Sequence, residues 1–201
     1  MEKRRGTVLK FIPFLLHRTT LIVIVFAAAL VVVLGGKFEI ANAARPYAEL
    51  EIQKLTACYA LGIDDIGRGN LQQGKNILRD CFTQDAKVIA DYPGLSVEQG
   101  GTDAWADYAY SVFQGNGDQA TQHLMGSIYV SVLNANQATM SSYVHATEKR
   151  SGTSIDITDA TYKYEVVKEG GRWKISHLIL TFIARYQVEG IDLGQAHLNN
   201  S

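Results

Sequence analysis

The sequence predicts an α+β fold, with helices in the first half of the chain and a long antiparallel sheet in the second. Apolar residues recur every three or four positions up to about residue 113 and every second position from Gln119 onward. Short segments rich in Gly, Asn and Ser separate the later apolar runs, as tight connections between antiparallel strands require. Helices that precede such a meander usually cover one face of a curved sheet.

Three helices are predicted. The first, over about residues 47–66, carries one apolar stripe: Ile52, Leu55, Tyr59, Ile63 and Ile66. The Gly67-Arg68-Gly69-Asn70 break separates it from a shorter helix, which is expected from Leu71 to about Cys81. A third segment has helical spacing over residues 102–113, and either Thr102 or Asp103 can cap its start.

Five strands are predicted. The first is DAKVIADY, which the turn residues Pro93-Gly94 close. The other four cover residues 121–134, 138–150, 157–168 and 172–187, and NANQ, SGTS and EGGR join them. Because no linker, repeat or low-complexity segment interrupts this order, one domain is expected over residues 45–187, followed by a C-terminal tail at residues 188–201.

Residues 1–43 have the composition of a targeting segment. Basic residues precede an uncharged run of eighteen residues between Arg18 and Lys37, and the small-x-small sequence Ala41-Asn42-Ala43 follows. These features predict a secretory signal peptide that is cleaved after Ala43. An uncleaved membrane anchor is the alternative, since about 20 apolar residues span a bilayer. Either alternative predicts an extracytoplasmic domain, secreted or periplasmic in one case and membrane-anchored in the other.

The charge balance argues against a nucleic-acid partner. Residues 1–43 hold six of the 19 basic residues and two of the 20 acidic ones, so the remaining chain has a net charge of −5. Such a domain lacks the basic surface that nucleic acids require. Its two cysteines, Cys58 and Cys81, are equally consistent with a disulfide and with two small apolar core residues, because the sequence does not give their separation.

Two strand histidines are the first candidates for chemistry. Alternation places His123 on the face of its strand that also carries Met125 and Tyr129, and His145 on the face of the next strand that carries Tyr143. If both faces are the concave one, two imidazoles point into the same cavity. The alternative for each histidine taken alone is a satisfied core or surface residue.

A carboxylate near the end of the first helix is the second candidate. Asp64 follows the apolar Ile63, and a buried carboxylate is costly unless it is paired, for which a histidine opposite would serve. The alternative is a solvated Asp64-Asp65 pair that ends the helix. Arg185 could be a carboxylate clamp at a pocket mouth or a surface residue. No metal site is expected, because the histidines lack the spacing of metal ligands.

The order of several segments resembles a known family. YALGID, LRDCFTQDAKVIADY, TQHLMGSIYV, ATMSSYVHATEKR and GGRWKISHLIL follow one another as in the SnoaL-like branch of the cone-shaped α+β-barrel superfamily that includes nuclear transport factor 2. The resemblance covers about residues 47–187. TQHLMG, Asp91-Tyr92 and the separation of the two histidines resemble scytalone dehydratase, while the Tyr59/Asp64 spacing resembles bile-acid dehydratases. The resemblance implies a barrel with an apolar pocket for a small hydrophobic molecule, and a possible homodimer.

The resemblance also implies roles for five residues. Asp64 and His123 match the pair that handles protons, His145 matches a second catalytic histidine, and Tyr59 and Tyr92 match substrate-binding tyrosines. Together they imply a cofactor-independent dehydratase or isomerase that acts on a small, hydrophobic, hydroxylated carbonyl compound. An imidazole can take a C–H proton and then return it to the departing hydroxyl, and a carboxylate on its other nitrogen fixes the tautomer.

A non-catalytic module of the same fold, which holds a small ligand or a partner, is the second hypothesis, since this superfamily hosts several reactions and plain binding proteins. The two hypotheses predict different geometry. The enzyme needs Asp64 and His123 paired in a water-poor cavity, whereas in a binding module they would be apart or flooded by solvent.

Overall fold

The computed structural model describes residues 45–150 and 152–189. The chain divides into two compact units, Met1–Pro46 and Tyr47–Ser201, and the fold described below belongs to the second. The predicted signal peptide or anchor at residues 1–43 lies outside the described residues, as does most of the predicted C-terminal tail. Among the helices that the structure describes, none combines the length and the apolar character needed to cross a membrane.

The three predicted helices are confirmed. Helix α1 covers residues 45–67, α2 covers Leu71–Cys81 and α3 covers Thr102–Asn116. Helix α3 runs three residues beyond its predicted end because Gly117 adopts the left-handed conformation, with a φ of 76°, that caps a helix C-terminus. Helices α1 and α2 cross closely at Gly74, where a Cβ atom would lie 2.6 Å from the Gly62 carbonyl oxygen.

A disulfide joins the first two helices. Cys58 on α1 and Cys81 at the end of α2 are bridged, with their Cα atoms 6.1 Å apart. The bridge joins residues 23 positions apart in the sequence, and the loop that it closes contains the whole segment between the two helices. The loss of chain entropy in the unfolded state gives a disulfide across a loop of this length roughly 3 kcal/mol of stabilisation.

The described residues contain a sheet of six strands. They are β1 (Phe82–Tyr92), β2 (Leu95–Gly100), β3 (Asp118–Val132), β4 (Gln137–Arg150), β5 (Ser154–Glu169) and β6 (Arg172–Glu189). Their order across the sheet is β2-β1-β6-β5-β4-β3. The β1–β6 pair is parallel and the other pairs are antiparallel, so the prediction of a mainly antiparallel sheet is confirmed.

Strand β2 was not predicted from the sequence. It pairs with β1 through a turn at Pro93-Gly94, with Tyr92 opposite Leu95. None of its residues is buried, because it forms an edge of the sheet. An edge strand of this kind lacks the apolar alternation that marks a half-buried strand.

The core lies between the helices and the inner face of the sheet. Buried side chains alternate along β1, β4 and β5, and they pack against the apolar stripe of α1 and the inner face of α3. A bulge in β3 between Gly126 and Tyr129, with Ser127 at a φ of 49°, reverses the alternation. Tyr129 is therefore 69% exposed, and the prediction that it shares the face of His123 is wrong.

Candidate active site

A cavity of about 70 Å³ lies between the inner face of the sheet and helices α1 and α3. Side chains from α1, α3 and every strand except β2 line it, and most of them are apolar or aromatic. The polar residues of this lining are Tyr59, Tyr92, Tyr108, Asn116, His123, Glu148, Thr158, Tyr162 and Arg185. The cavity is smaller than the pocket of a drug-sized ligand, which typically has about 300 Å³ or more.

His123 lines this cavity, and its ring contacts Asp64. Asp64 Oδ1 lies 2.8 Å from His123 Nδ1, and the two side chains are 9% and 7% exposed. The same carboxylate accepts hydrogen bonds from the Thr121 hydroxyl at 3.1 Å and from the His123 backbone N–H at 3.3 Å. Gly67 allows this approach of α1 to β3, because a Cβ atom there would collide with Thr121.

These contacts orient the imidazole. An ionised carboxylate only accepts hydrogen bonds, so Nδ1 is the nitrogen that donates to an ionised Asp64. Nε2 is the nitrogen that remains for a molecule in the cavity, and in the neutral imidazole with this tautomer it carries the lone pair. Three hydrogen bonds to Asp64 hold the carboxylate in place, so the imidazole is oriented before any ligand binds.

Tyr59 packs beside the imidazole, and Tyr162 packs beside Tyr59. The Tyr59 ring meets the His123 ring edge to face at 6.4 Å between centroids, and it meets the Tyr162 ring in the same way at 5.5 Å. Burial raises the pKa of Tyr59 well above its usual value, and burial also raises the pKa of Tyr162. Both hydroxyls therefore keep their protons at neutral pH and can donate hydrogen bonds.

Tyr92 lines the opposite wall of the cavity. Its ring stacks on Phe182 at 4.4 Å between centroids. Burial, together with the hydrogen bond to the Tyr108 hydroxyl, raises the pKa of Tyr92. Both tyrosines that the sequence analysis selected, Tyr59 and Tyr92, thus line the same cavity as His123, whose ring contacts Asp64.

The structure does not bring His145 to this group. In the β3–β4 register, His145 lies opposite Leu124 while His123 lies opposite Ala146, so the two histidines occupy opposite faces of the sheet. The His145 side chain is 45% exposed on the outer face, where Nδ1 lies 2.8 Å from Asp159 Oδ1. The expectation that both imidazoles share one cavity is therefore wrong.

Two buried polar groups at the cavity were not identified from the sequence. Trp105 Nε1 on α3 and Thr158 Oγ1 on β5 have no hydrogen-bond partner among the described residues. Both residues are 5% exposed. The period-two pattern of β5 places Thr158, Ala160 and Tyr162 on one inner face, which could have indicated Thr158; Trp105 was assigned only to a helical stripe.

Two charged residues of the cavity lining, Arg185 and Glu148, are paired. Arg185 Nη2 donates to Glu148 Oε2 at 2.9 Å and to Asp156 Oδ2 at 2.8 Å. Burial raises the pKa of Glu148, and the Arg185 charge only partly offsets this effect. Burial disfavours the Arg185 cation, but the carboxylates around it, Glu148 first, outweigh burial and raise its pKa. Arg185 is thus not an isolated surface residue, and its guanidinium already binds two carboxylates of the protein rather than standing free for a ligand carboxylate.

Among the described residues, no group of three or more His, Cys, Asp or Glu side chains is arranged to hold a metal ion. The polar groups at the cavity come from seven elements: α1, α3, β1, β3, β4, β5 and β6. A paired carboxylate and imidazole beside an apolar cavity can carry out proton transfer.

A family model for the SnoaL-like domain matches residues 46–179. The chain belongs to the SnoaL-like domain family. This match confirms the family resemblance that the sequence segments indicated. None of the proteins of curated function matches it at a significant level.

Solved structures share the fold of this SnoaL-like domain. A candidate scytalone dehydratase from Novosphingobium aromaticivorans is 20% identical, with a TM-score of 0.55 over 75% of this chain and 93% of its own. The hexachlorocyclohexane dehydrochlorinase LinA-type3 from Novosphingobium barchaimii is 18% identical, with a TM-score of 0.60 over 77% and 97%. A candidate aromatic ring hydroxylase from Novosphingobium aromaticivorans is 21% identical, with a TM-score of 0.58 over 71% and 94%.

Another structural neighbour, from Novosphingobium aromaticivorans, is described as a nuclear transport factor 2-like protein with a cystatin-like fold. At these identities the likeness is one of fold. It confirms the predicted α+β class, with the three described helices packed on a mixed sheet.

Proposed function

We propose that this SnoaL-like domain catalyses a cofactor-independent elimination or isomerisation of a small, hydrophobic, hydroxylated carbonyl compound. The observation that carries the proposal is the 2.8 Å contact between Asp64 and His123 beside an apolar cavity. Proton transfer by a positioned imidazole contributes about 10²–10⁴-fold to such reactions. A carboxylate on the other nitrogen stabilises the imidazolium that forms.

The reaction begins at the carbon next to the substrate carbonyl. His123 Nε2 removes a proton from that carbon, and the electron pair of the C–H bond moves into the C–C bond as the carbonyl becomes an enolate. Asp64 stabilises the positive charge on His123 across the Nδ1 contact. Tyr162 and Tyr92 keep their protons. The Tyr162 hydroxyl can donate to the enolate oxygen as its charge develops, and the Tyr92 hydroxyl can do so once it exchanges its hydrogen bond to Tyr108 for one to the substrate.

The second half of the reaction uses the proton that His123 has gained. When the enolate collapses, the bond between the β-carbon and the hydroxyl breaks, and imidazolium Nε2 returns its proton to the departing oxygen. The products are an unsaturated carbonyl compound and water, and His123 recovers its starting state. If the substrate carries a C=C bond conjugated with the enolate, return of the proton to a different carbon of that system moves the double bond, and the same groups then give an isomerisation.

Two of the structural neighbours support elimination. One is described as a candidate dehydratase and another as a dehydrochlorinase, and both names denote loss of a small leaving group. The alternative of a ligand-binding module predicts that Asp64 and His123 are separated or surrounded by water. Their contact and their burial favour the enzyme.

We also propose that the domain acts outside the cytoplasm, through the signal peptide or anchor at residues 1–43. The Cys58–Cys81 disulfide supports this location, because disulfides persist in oxidising compartments. Cell fractionation and N-terminal sequencing test it. A signal peptide predicts a mature protein that starts at Ala44, an anchor predicts an intact chain in the membrane, and a cytoplasmic protein contradicts both.

Diacetone alcohol, a small β-hydroxy ketone, is a suitable probe of the reaction. Its dehydration to mesityl oxide creates a conjugated enone that is followed by ultraviolet absorbance. We expect the wild-type domain to accelerate the reaction, and His123→Ala to lower the rate by about 10²–10⁴-fold. His145→Ala is the matched control on the outer face, and it should keep the wild-type rate. Equal rates for wild type and His123→Ala would contradict the proposal.

A further inference from the structure

The polar groups of the cavity divide into two kinds. The neutral ones include two that lack partners among the described residues, the Trp105 indole N–H and the Thr158 hydroxyl. A buried polar group without a hydrogen bond is costly, so each gains from a ligand atom that completes its bonding. Both can donate a hydrogen bond, which suits a carbonyl, hydroxyl or amide oxygen.

The charged groups of the cavity already have partners. Asp64 contacts His123, and Glu148 contacts Arg185 through Oε2 at 2.9 Å. Glu148 is buried on the inner face of β4. In the β3–β4 register it lies opposite Thr121, so it is a diagonal neighbour of His123 on the same face of the sheet. An anionic ligand that reached Arg185 would therefore come close to the Glu148 carboxylate.

The charged side chains around Arg185 also disfavour an anionic ligand. Asp156 shares Arg185 Nη2 with Glu148, and Arg150 Nη2 contacts Asp156 at 2.6 Å while its Nε lies 3.7 Å from Asp118. Together with Asp64, four carboxylates stand against two guanidinium groups in this described cluster. Each of these carboxylates would repel an anionic ligand, so a further negative charge next to Glu148 is unfavourable.

We infer that the cavity selects uncharged, oxygen-bearing ligands over carboxylates, and that Glu148 sets this selection by occupying Arg185. The inference deepens the proposed function, on which it rests for the use of the same cavity, by naming the charge class of the substrate. It gives Glu148 the part of a specificity-determining residue: the carboxylate balances a guanidinium that would otherwise attract organic anions.

Benzamide and benzoate test the inference, because they have nearly the same shape and differ by one charge. Their binding to the purified protein is measured by NMR titration. Wild type should bind benzamide about tenfold or more tightly than benzoate. Glu148→Gln removes one negative charge with little change in shape, and it should raise benzoate affinity about tenfold while benzamide affinity stays within a factor of about two. Glu165→Gln makes the same change on the exposed outer face and should leave both affinities unchanged.

A second variant keeps the test decisive if Glu148→Gln does not fold. Thr158→Val replaces an unpartnered hydroxyl with a methyl group of similar size, and it should weaken benzamide about threefold to tenfold without strengthening benzoate. The inference is overturned if wild type does not bind benzamide, if it binds benzoate as tightly, or if Glu148→Gln leaves the ratio unchanged. His123→Asn separates the two proposals, since it should abolish diacetone alcohol dehydration and preserve the affinity ratio.

Discussion

The domain contains two histidine–aspartate pairs with the same contact distance, one on each face of the sheet. His123 Nδ1 lies 2.8 Å from Asp64 on the inner face, and His145 Nδ1 lies 2.8 Å from Asp159 on the outer face. The inner side chains are 7% and 9% exposed, whereas the outer ones are 45% and 36% exposed. The contact distance is the same, so the difference in function that we propose has to come from the surroundings of each pair.

Three features are specific to the inner pair. Its carboxylate is held by two further hydrogen bonds, from the Thr121 hydroxyl and from the His123 backbone. Its imidazole faces an apolar cavity that also holds unpartnered donors. In low-dielectric surroundings each charge acts more strongly than it does in water. A paired histidine therefore indicates an active site only together with a cavity and an oriented partner.

The largest expected difference between the pairs is in catalysis. Asp64→Asn leaves the shape of the pair but removes the charge that stabilises the His123 imidazolium, so dehydration of diacetone alcohol should slow by about 10²–10⁴-fold. Asp159→Asn makes the same change at His145 and should leave the rate within a factor of about two. Steady-state kinetics on both variants checks this, and equal losses would remove the distinction between the faces.

The second largest expected difference between the two pairs is in their contribution to the free energy of unfolding. Asp64→Ala leaves a buried imidazole and the Thr121 hydroxyl without their acceptor, so the free energy of unfolding should fall by about 3–5 kcal/mol. Asp159→Ala breaks a pair that water already screens, and it should cost about 0–1 kcal/mol. Urea unfolding followed by circular dichroism measures both values. A loss at Asp159 as large as the loss at Asp64 would contradict the assigned burial.

Acid dependence offers a third comparison between the faces. Burial raises the pKa of Glu148 above the usual 4.5, so the folded protein holds this proton more tightly than the unfolded chain does. The stabilisation from this proton is complete below pH 4.5 and is lost as the pH rises through the folded-state pKa. Glu148→Gln should remove that loss, while Glu165→Gln on the outer face should not. Unfolding curves across this pH window test the prediction, and a Glu148→Gln curve parallel to wild type would contradict it.

The smallest effect compares two inner threonines. Thr121 donates a hydrogen bond to Asp64, so Thr121→Val should lower the free energy of unfolding by about 1–2 kcal/mol. The Thr158 hydroxyl has no partner among the described residues, so Thr158→Val should be neutral or stabilise the fold by up to about 1 kcal/mol. Chemical denaturation resolves this difference in sign. A loss at Thr158 equal to that at Thr121 would mean that both hydroxyls are paired.

The sequence predicted those parts of the fold that repeat a local pattern. The start of α2 after its Gly-rich break and the apolar stripe of α1 follow from the spacing of apolar residues, because burial of one helix face requires that spacing. Strand β2 escaped prediction, since an edge strand without buried residues has no such pattern.

Only two residues of the site, Asp64 and His123, could be placed from the sequence, because each lies on an element that was itself predicted. Asp64 lies in the last turn of α1 and His123 lies on the inner face of β3, and the family resemblance paired them. The face of His145 depends on the register across the β3–β4 connection, which alternation within each strand does not determine. Glu148, Thr158 and Trp105 come together from two strands and a helix, so their grouping exists only in the folded chain.

The central claim is that His123 removes a proton from carbon while His145 does not. Incorporation of deuterium at the carbon between the carbonyl and the hydroxyl-bearing carbon of unreacted diacetone alcohol, measured by NMR in D₂O, tests it without requiring elimination to finish. Wild type and His145→Ala should both incorporate deuterium faster than buffer, and His123→Ala should not. Exchange that persists in His123→Ala, or that disappears in His145→Ala, would contradict the account.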